Sequence, residues 1–71
     1  MTWNYRVLEH VDLSHDKWYQ VHEVFYNKDG SIASCSEDAI APFGEDVEEL
    51  QDVVELMKAA FAMPTIPYED I

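Results

Sequence analysis

The sequence predicts an α+β fold: a three-stranded antiparallel sheet in the order 1-2-3, packed on one face by a single C-terminal helix and followed by an extended, proline-containing tail. Two observations predict this class. Apolar residues alternate with polar ones in the first half of the chain, and they recur at spacings of three and four in the second half. The length of 71 residues corresponds to one small acidic domain, 1–71, and a domain of this size buries only about 60% of its unfolded surface.

The three strands are predicted at about 3–11, 18–26 and 31–36, because the first two alternate and are rich in aromatic and β-branched residues. The segment Asn27-Lys28-Asp29-Gly30 separates the second strand from the third. Asn and Asp followed by Gly are typical of a four-residue hairpin loop built on a type I turn, since Gly adopts positive φ. The sequence therefore predicts a hairpin at this point.

A tight first connection would pair Val11 with Trp18 and set Arg6 opposite Glu23, which favours antiparallel pairing. On one face this register collects the residues on which we expect the helix to pack: Trp3, Tyr5, Val7, Val11, Trp18, Val24, Tyr26 and Ala33. On the other face it collects five further apolar residues: Leu8, Tyr19, Val21, Phe25 and Ile32. An apolar patch of several hundred Å² predicts an interface with another protein or a second copy. The alternative is a half-solvated face, which is ordinary for antiparallel sheets.

The helix is predicted at about 47–62. Asp46 suits the N-cap, and Glu49 three residues later completes an Asp-x-x-Glu capping box. The apolar stripe that we expect to face the sheet consists of Val47, Leu50, Val54, Met57 and Phe61, widened by Val53 and Ala60. Pro64 ends the helix, and we expect Ile66 and Tyr68 of the tail to fold back on the core.

The formal net charge of −11, from 15 acidic and 4 basic residues, excludes direct binding of a nucleic-acid backbone and disfavours anionic membranes. Much of this charge lies around the helix, on Glu45, Asp46, Glu48, Glu49, Asp52 and Glu55. A solvated helix face explains such a run, but so does a surface that attracts a basic protein partner. A chain that imitates nucleic acid, and so blocks a basic nuclease or DNA-binding protein, is the alternative function.

The sequence predicts no catalytic residue, metal ligand or cofactor. Cys35 and His22 would lie near each other across the second hairpin, as in a cysteine nucleophile, but a chain of this size leaves little room for a cleft. His10, His15 and His22 lack the helical spacing of a metal site, and the predicted register puts His10 and His22 on opposite faces. We therefore expect Cys35 to be a buried thiol and the histidines to lie at the surface.

A single cysteine excludes an intramolecular disulfide. The first residues show no basic stretch followed by an apolar one, and no apolar run approaches the roughly 20 residues of a membrane span. Cytoplasmic residence is the expectation.

The chain resembles a group of small uncharacterised bacterial proteins that share four segments. These segments are Trp3-Asn4-Tyr5-Arg6, His22-Glu23-Val24-Phe25-Tyr26, the helix entry Gly44-x-x-x-Glu48-Glu49-Leu50, and a proline-rich end at 64–68. The resemblance covers nearly the whole chain and implies a common fold, with no activity attached.

The helix entry from Gly44 to Glu49 also resembles HicB-type antitoxins, whose partial ribonuclease-H-like domain runs strand, strand, strand, helix. The chain departs from that family at 36–42, where its Pro-Asp-x-Pro-Gly-Cys segment is missing, and it has no room for the appended DNA-binding domain. The resemblance implies an acidic protein that caps a basic toxin. The sequence as a whole predicts a non-enzymatic protein-binding module, a small acidic regulator or antitoxin-like inhibitor.

Overall fold

A computed structural model describes residues 2–71. The elements are, in chain order, β1 (Thr2–Val11), β2 (Lys17–Tyr26), β3 (Ile32–Cys35), α1 (Val47–Lys58), a 3-10 helix (Ala59–Ala62), β4 (Ile66–Pro67) and a final 3-10 helix (Tyr68–Asp70). The class is α+β, as predicted, with one α-helix and a mixed sheet in the order β3-β2-β1-β4.

The predicted three-stranded sheet is wrong in its number of strands. The antiparallel meander of β1, β2 and β3 is present, but β4 in the tail pairs with β1 in parallel, with Leu8 opposite Ile66. The physical reason is the free edge of β1, whose backbone N–H and C=O groups need partners once the C-terminal segment buries them.

The register of the first hairpin also differs from the predicted one, by one residue. Val11 pairs with Lys17 rather than Trp18, and Arg6 lies opposite His22 rather than Glu23. The connecting loop, 12–16, is one residue shorter than the predicted pairing requires. The Asp12 side chain closes it by accepting hydrogen bonds from the backbone N–H groups of Ser14 (2.8 Å) and Asp16 (2.9 Å).

A shift of one residue moves every side chain of β1 to the other face relative to β2. Leu8 and Val24 are fully buried, and the register puts them on one face. Trp3, expected under the helix, is instead 50% exposed. The face that receives the C-terminal part of the chain carries the even-numbered residues of β1, since Asn4 contacts Met63 there. The predicted helix-packing face, which combined Trp3, Tyr5, Val7 and Val11 with Trp18, Val24 and Tyr26, is therefore wrong.

The second hairpin has the predicted turn. The N–H of Gly30 donates to the carbonyl of Asn27 at 3.0 Å, and Gly30 has a φ of +88°. After β3 the chain continues along the outer edge of β2, where the N–H of Ser36 donates to the Glu23 carbonyl at 2.8 Å. This placement brings Ser36 beside His22. Cys35 itself pairs with Val24, two residues after His22 in β2.

A polar network attaches the segment after the helix to the sheet. The Arg6 guanidinium donates to the Tyr26 hydroxyl at 3.0 Å and to the Pro64 carbonyl at 2.7 Å. The Tyr26 hydroxyl donates in turn to the Asn4 side-chain oxygen at 2.7 Å. Arg6 is thereby directed toward the tail and not toward Glu23.

Helix α1 begins at its predicted cap. The Asp46 carboxylate accepts a hydrogen bond from the N–H of Glu49 at 2.7 Å. Within α1 Met57 is buried and Val53 is half-buried, and Ala60 of the following 3-10 helix is buried as well. The helix therefore packs through its C-terminal end, while its N-terminal turns extend into solvent. Within residues 2–71, no helix is long and apolar enough to cross a membrane.

Candidate functional site

The five residues predicted as an apolar sheet interface do not form one surface. Leu8 is fully buried on the face opposite Tyr19, Val21 and Phe25. Tyr19 is 57% exposed, and its hydroxyl lies 3.3 Å from the Glu9 carboxylate. Val21 and Phe25 are half-buried, and Ile32 is 37% exposed. The one-residue change of register separates Leu8 from Tyr19, Val21 and Phe25, so this patch is smaller than the sequence predicts.

The predicted acidic surface is present around α1. All six of its residues are exposed: Glu45, Asp46, Glu48, Glu49, Asp52 and Glu55. The nearest basic residue along the helix is Lys58, in its last turn. The first three turns therefore carry negative charge without an interspersed cation.

Beside these carboxylates lies an uncovered apolar helix face, which we define as Val47, Leu50 and Val54. Their exposures are 79%, 37% and 43%, although the sequence predicts that they pack on the sheet. The preceding Phe43 is 71% exposed. An amphipathic helix normally buries such a stripe against the rest of the protein. The apolar helix face has the composition of a buried surface, but it is exposed to solvent.

A second apolar feature lies at the other end of the helix. A cleft of about 390 Å³ is lined by Trp3, Asn4, Tyr5, Leu56, Ala59 and Met63. Trp3 and Leu56 are both at least half exposed. Exposed apolar surface thus occurs along the length of α1, at its start and at its end.

The sequence prediction missed a pair of facing histidines. The Nε2 atoms of His10 and His22 lie 3.0 Å apart, and His22 is 1% exposed. The predicted register put the two residues on opposite faces. The observed register puts them on the same face, where His22 pairs with Arg6, four residues before His10 along β1. The signal that could have found this pair is Asp12, whose side chain can accept hydrogen bonds from the N–H groups that follow it and so close a five-residue loop.

Hydrogen bonding determines the tautomer of His22. Its Nδ1 lies 3.1 Å from the Ser36 carbonyl oxygen and 3.2 Å from the Ser36 hydroxyl, and that hydroxyl donates its proton to the Asp38 carbonyl at 2.8 Å. Both Ser36 oxygens are therefore acceptors, so Nδ1 of His22 carries the hydrogen. In the neutral ring, Nε2 then has a lone pair directed at His10.

Aromatic rings enclose the histidine pair. Trp18 stacks on His10 at 5.3 Å between ring centroids and 9° between planes, and Tyr68 meets His10 edge-on at 4.7 Å. An open cleft of about 370 Å³ adjoins this group, lined by Glu9, His10, Val11, Trp18, Pro67, Tyr68, Glu69 and Ile71. Burial, together with the neighbouring His22, lowers the pKa of His10 below its ordinary value of 6.5. His10 is therefore neutral near pH 7.

The Cys35 and His22 pair does not have the arrangement of a nucleophile and its base. Nδ1 of His22 donates to Ser36 and Nε2 faces His10, so both ring nitrogens have other partners. Burial raises the pKa of the Cys35 thiol, which disfavours the reactive thiolate.

Comparison with known proteins adds no relative. No family model, curated protein or solved structure matches the chain. The two resemblances noted in the sequence stay predictions.

Proposed function

We propose that this chain is a non-enzymatic protein-binding module, a small acidic regulator or antitoxin-like inhibitor, that binds a basic protein through the apolar helix face and its acidic rim. The observation that carries the proposal is the exposure of Val47, Leu50 and Val54 beside a continuous series of exposed carboxylates. Protein interfaces have this anatomy, with an apolar centre and a polar rim.

Charge favours a basic partner over a second copy of the chain. Each copy carries a formal charge of −11, and the carboxylates are concentrated around the helix that would form the contact. Two copies that joined through this helix would bring like charges together, which opposes association. A basic protein would instead gain attraction at the rim while it covers the apolar centre. The proposal therefore differs from the homodimer that the sequence also allowed.

The same charge predicts how binding depends on salt. Electrostatic attraction between an acidic surface and a basic partner accelerates encounter and is screened as ionic strength rises. Contacts made by the apolar helix face depend far less on salt, because they arise from removal of apolar surface from water. We expect a complex that forms quickly at low salt and that depends on Val54 at every salt concentration.

The experiment compares two substitutions that change charge equally. Val54→Lys places a cation in the apolar helix face, whereas Leu13→Lys places one in the first loop, where Leu13 is fully exposed. Tagged wild type and both variants are used to capture proteins from cells of the source organism, with stepwise salt elution and quantitative mass spectrometry. We expect a basic protein with wild type and Leu13→Lys, and at least a tenfold loss with Val54→Lys.

Two results would contradict the proposal. Equal capture by both variants would show that the apolar helix face is not the contact. A dimer of the free protein in light scattering that Val54→Lys converts to monomer, without a captured partner, would show that a second copy covers this face.

Nucleic-acid mimicry is the second candidate, and the exposure of all six carboxylates in and just before α1 favours it. It predicts that the captured protein binds nucleic acid and that DNA or RNA displaces this chain from it. Reversal of Glu48, Glu49 and Asp52 to Lys would abolish capture. Reversal of three exposed acidic residues outside the helix, Glu37, Asp38 and Asp70, is the charge-matched control. Equal effects of the two triple variants would argue against mimicry by the helix.

A further inference from the structure

We propose that His10 and His22 form a two-histidine binding site for a divalent transition-metal ion such as Zn²⁺, open to the cleft between β1 and the C-terminal 3-10 helix. The site is separate from the apolar helix face and does not depend on the proposed function. It lies where the first hairpin, Ser36 and Tyr68 meet.

The separation of the two nitrogens suits a shared metal. The Nε2 atoms of His10 and His22 lie 3.0 Å apart. Imidazole nitrogens bind Zn²⁺ at about 2.0–2.1 Å, so two of them at a tetrahedral angle lie about 3.3–3.4 Å apart. At the observed separation of 3.0 Å, such bonds would meet at the metal at about 91–97°. A movement of His10 by about 0.3–0.4 Å therefore converts the hydrogen-bonded pair into a tetrahedral one.

His22 is already oriented as a metal ligand. Its Nδ1–H donates to the Ser36 carbonyl, which leaves the Nε2 lone pair facing the gap between the two rings. Metal-binding histidines commonly donate their second ring nitrogen to a backbone carbonyl or carboxylate, which fixes the tautomer and the ring orientation. His22 is 1% exposed, so its neighbours hold that orientation.

His10 supplies the movable half of the site. Without a metal, its Nε2–H donates to Nε2 of His22, since His22 is the acceptor there. In its other neutral tautomer, with the hydrogen on Nδ1, the His10 Nε2 lone pair also faces the gap. Two facing lone pairs repel unless a cation lies between them, so the ion and this tautomer stabilise each other. Trp18 and Tyr68 contact the His10 ring on two sides, so the movement required is small.

The nature of the ligands selects the class of ion. Imidazole suits Zn²⁺, Cu²⁺ and Ni²⁺, whereas Mg²⁺ and Ca²⁺ prefer oxygen ligands. Within residues 2–71 no group of three His, Cys, Asp or Glu side chains converges. Water or an added ligand in the cleft beside His10 would complete the coordination shell. Such a site binds less tightly than a structural zinc site with four protein ligands.

The test titrates ZnCl₂ into ¹⁵N-labelled protein near pH 7.5, in excess Mg²⁺ so that the exposed carboxylates are occupied by a hard cation. Calorimetry gives affinity and stoichiometry, and the ¹⁵N shifts of the histidine rings identify the ligating atoms. We expect one ion per chain, with the Nε2 signals of His10 and His22 shifting together and that of His15 unchanged. His10→Gln is the decisive variant, because His10 lies at the edge of the cleft and His22 is in the core. His15→Asn is its control, since Asn tolerates the φ of 67° at that loop position.

We expect His10→Gln to weaken Zn²⁺ binding by at least about tenfold, since even loss of a group that only supports a ligand costs about 10–100-fold. His15→Asn should leave the affinity unchanged. Three results would overturn the proposal: Zn²⁺ binding that Mg²⁺ abolishes, equal affinity in His10→Gln and wild type, or unchanged Nε2 shifts in both histidines. Any of these results would mean that bound Zn²⁺ is held by the exposed carboxylates and not by the two histidines.

Discussion

The backbone at Gly44 approaches the first turns of α1 so closely that no side chain fits there. A Cβ atom at this position would lie 2.3 Å from the backbone nitrogen of Leu50 and 2.9 Å from the carbonyl carbon of Glu49. Real Cβ atoms do not approach backbone atoms this closely, so the segment before the helix would have to move. We expect Gly44→Ala to lower the free energy of unfolding in urea by about 1–3 kcal/mol.

Gly30 is the appropriate comparison, because its constraint has another origin. Its φ is +88° and a Cβ there would meet open space. Asn tolerates positive φ better than other residues, so Gly30→Asn should recover most of the stability lost in Gly30→Ala. At position 44 Asn should be no better than Ala, since the obstacle is a collision. An unchanged free energy of unfolding for Gly44→Ala would mean that the segment shifts without cost.

His22 shows how a polar residue is accommodated in a small core. It is 1% exposed, and each ring nitrogen faces a partner, Ser36 on one side and His10 on the other. A buried polar group without partners is costly, so both contacts are needed for the ring to remain inside. Within residues 2–71, the side chain that lacks a partner for a buried nitrogen is Arg6, at Nε.

At the scale of the element, helix α1 depends on local signals more than a packed helix does. Met57 is buried, whereas Val47, Leu50 and Val54 remain exposed, so the first turns gain little from tertiary contacts. In most proteins packing of an apolar face supplies the greater part of helix stability. The N-cap and the acidic first turn therefore matter more here, because carboxylates stabilise the positive end of the helix dipole.

We expect Asp46→Ala to destabilise the first turns of α1 by about 1 kcal/mol, because the Glu49 N–H loses its acceptor. The loss should appear chiefly as faster amide hydrogen exchange at residues 48–52, and less in global unfolding, since these turns pack weakly. Asp46→Asn is the control, because it keeps the capping oxygen and removes only the charge. Unchanged exchange rates in Asp46→Ala would contradict a role for this cap.

At the scale of the whole molecule, the core is small and is closed by the tail. The buried apolar residues of the described chain are Val7, Leu8, Val24, Met57 and Ala60. A chain of 71 residues is marginally stable from burial alone. Pairing of β4 with β1, the hydrogen bond from Arg6 to the Pro64 carbonyl, and the contact of Tyr68 with His10 attach the tail over the sheet.

Because the tail packs against His10, we expect the free energy of unfolding to depend on the protonation of that side chain. Its pKa is lowered in the folded chain by burial and by His22, from an ordinary value of 6.5. The unfolded chain therefore binds a proton more readily, and the free energy of unfolding falls as pH drops from above 6.5 through the lowered folded-state pKa. Tryptophan fluorescence during urea unfolding, measured between pH 8 and pH 5, would record this loss.

His10→Gln removes the titrating group and should flatten the profile in this range relative to wild type. His15→Asn, in the exposed first loop, should leave the profile unchanged. The comparison between variants is needed because acid also relieves the self-repulsion of a chain with net charge −11. Parallel profiles for wild type and His10→Gln would contradict the predicted role of His10.

The sequence alone determined the features that depend on neighbouring residues. The α+β class, the turn at Asn27–Gly30, the cap at Asp46 and the acidic helix surface follow from turn chemistry, capping and periodicity, which act within a few residues. The predicted turn and the predicted helix cap are both present in the folded chain, because no contact with a distant residue displaces them.

The register, the fourth strand and the histidine pair depend on the tertiary structure. The five-residue loop held by Asp12 shifts β1 by one residue, and that shift alone buries Leu8, separates it from Tyr19, and brings His10 to His22. The pairing of Ile66 with Leu8 joins residues 58 positions apart, which no local pattern encodes. Long-range pairing is selected by burial of backbone groups and by the fit of the tail over the sheet, so it is determined by the folded chain as a whole.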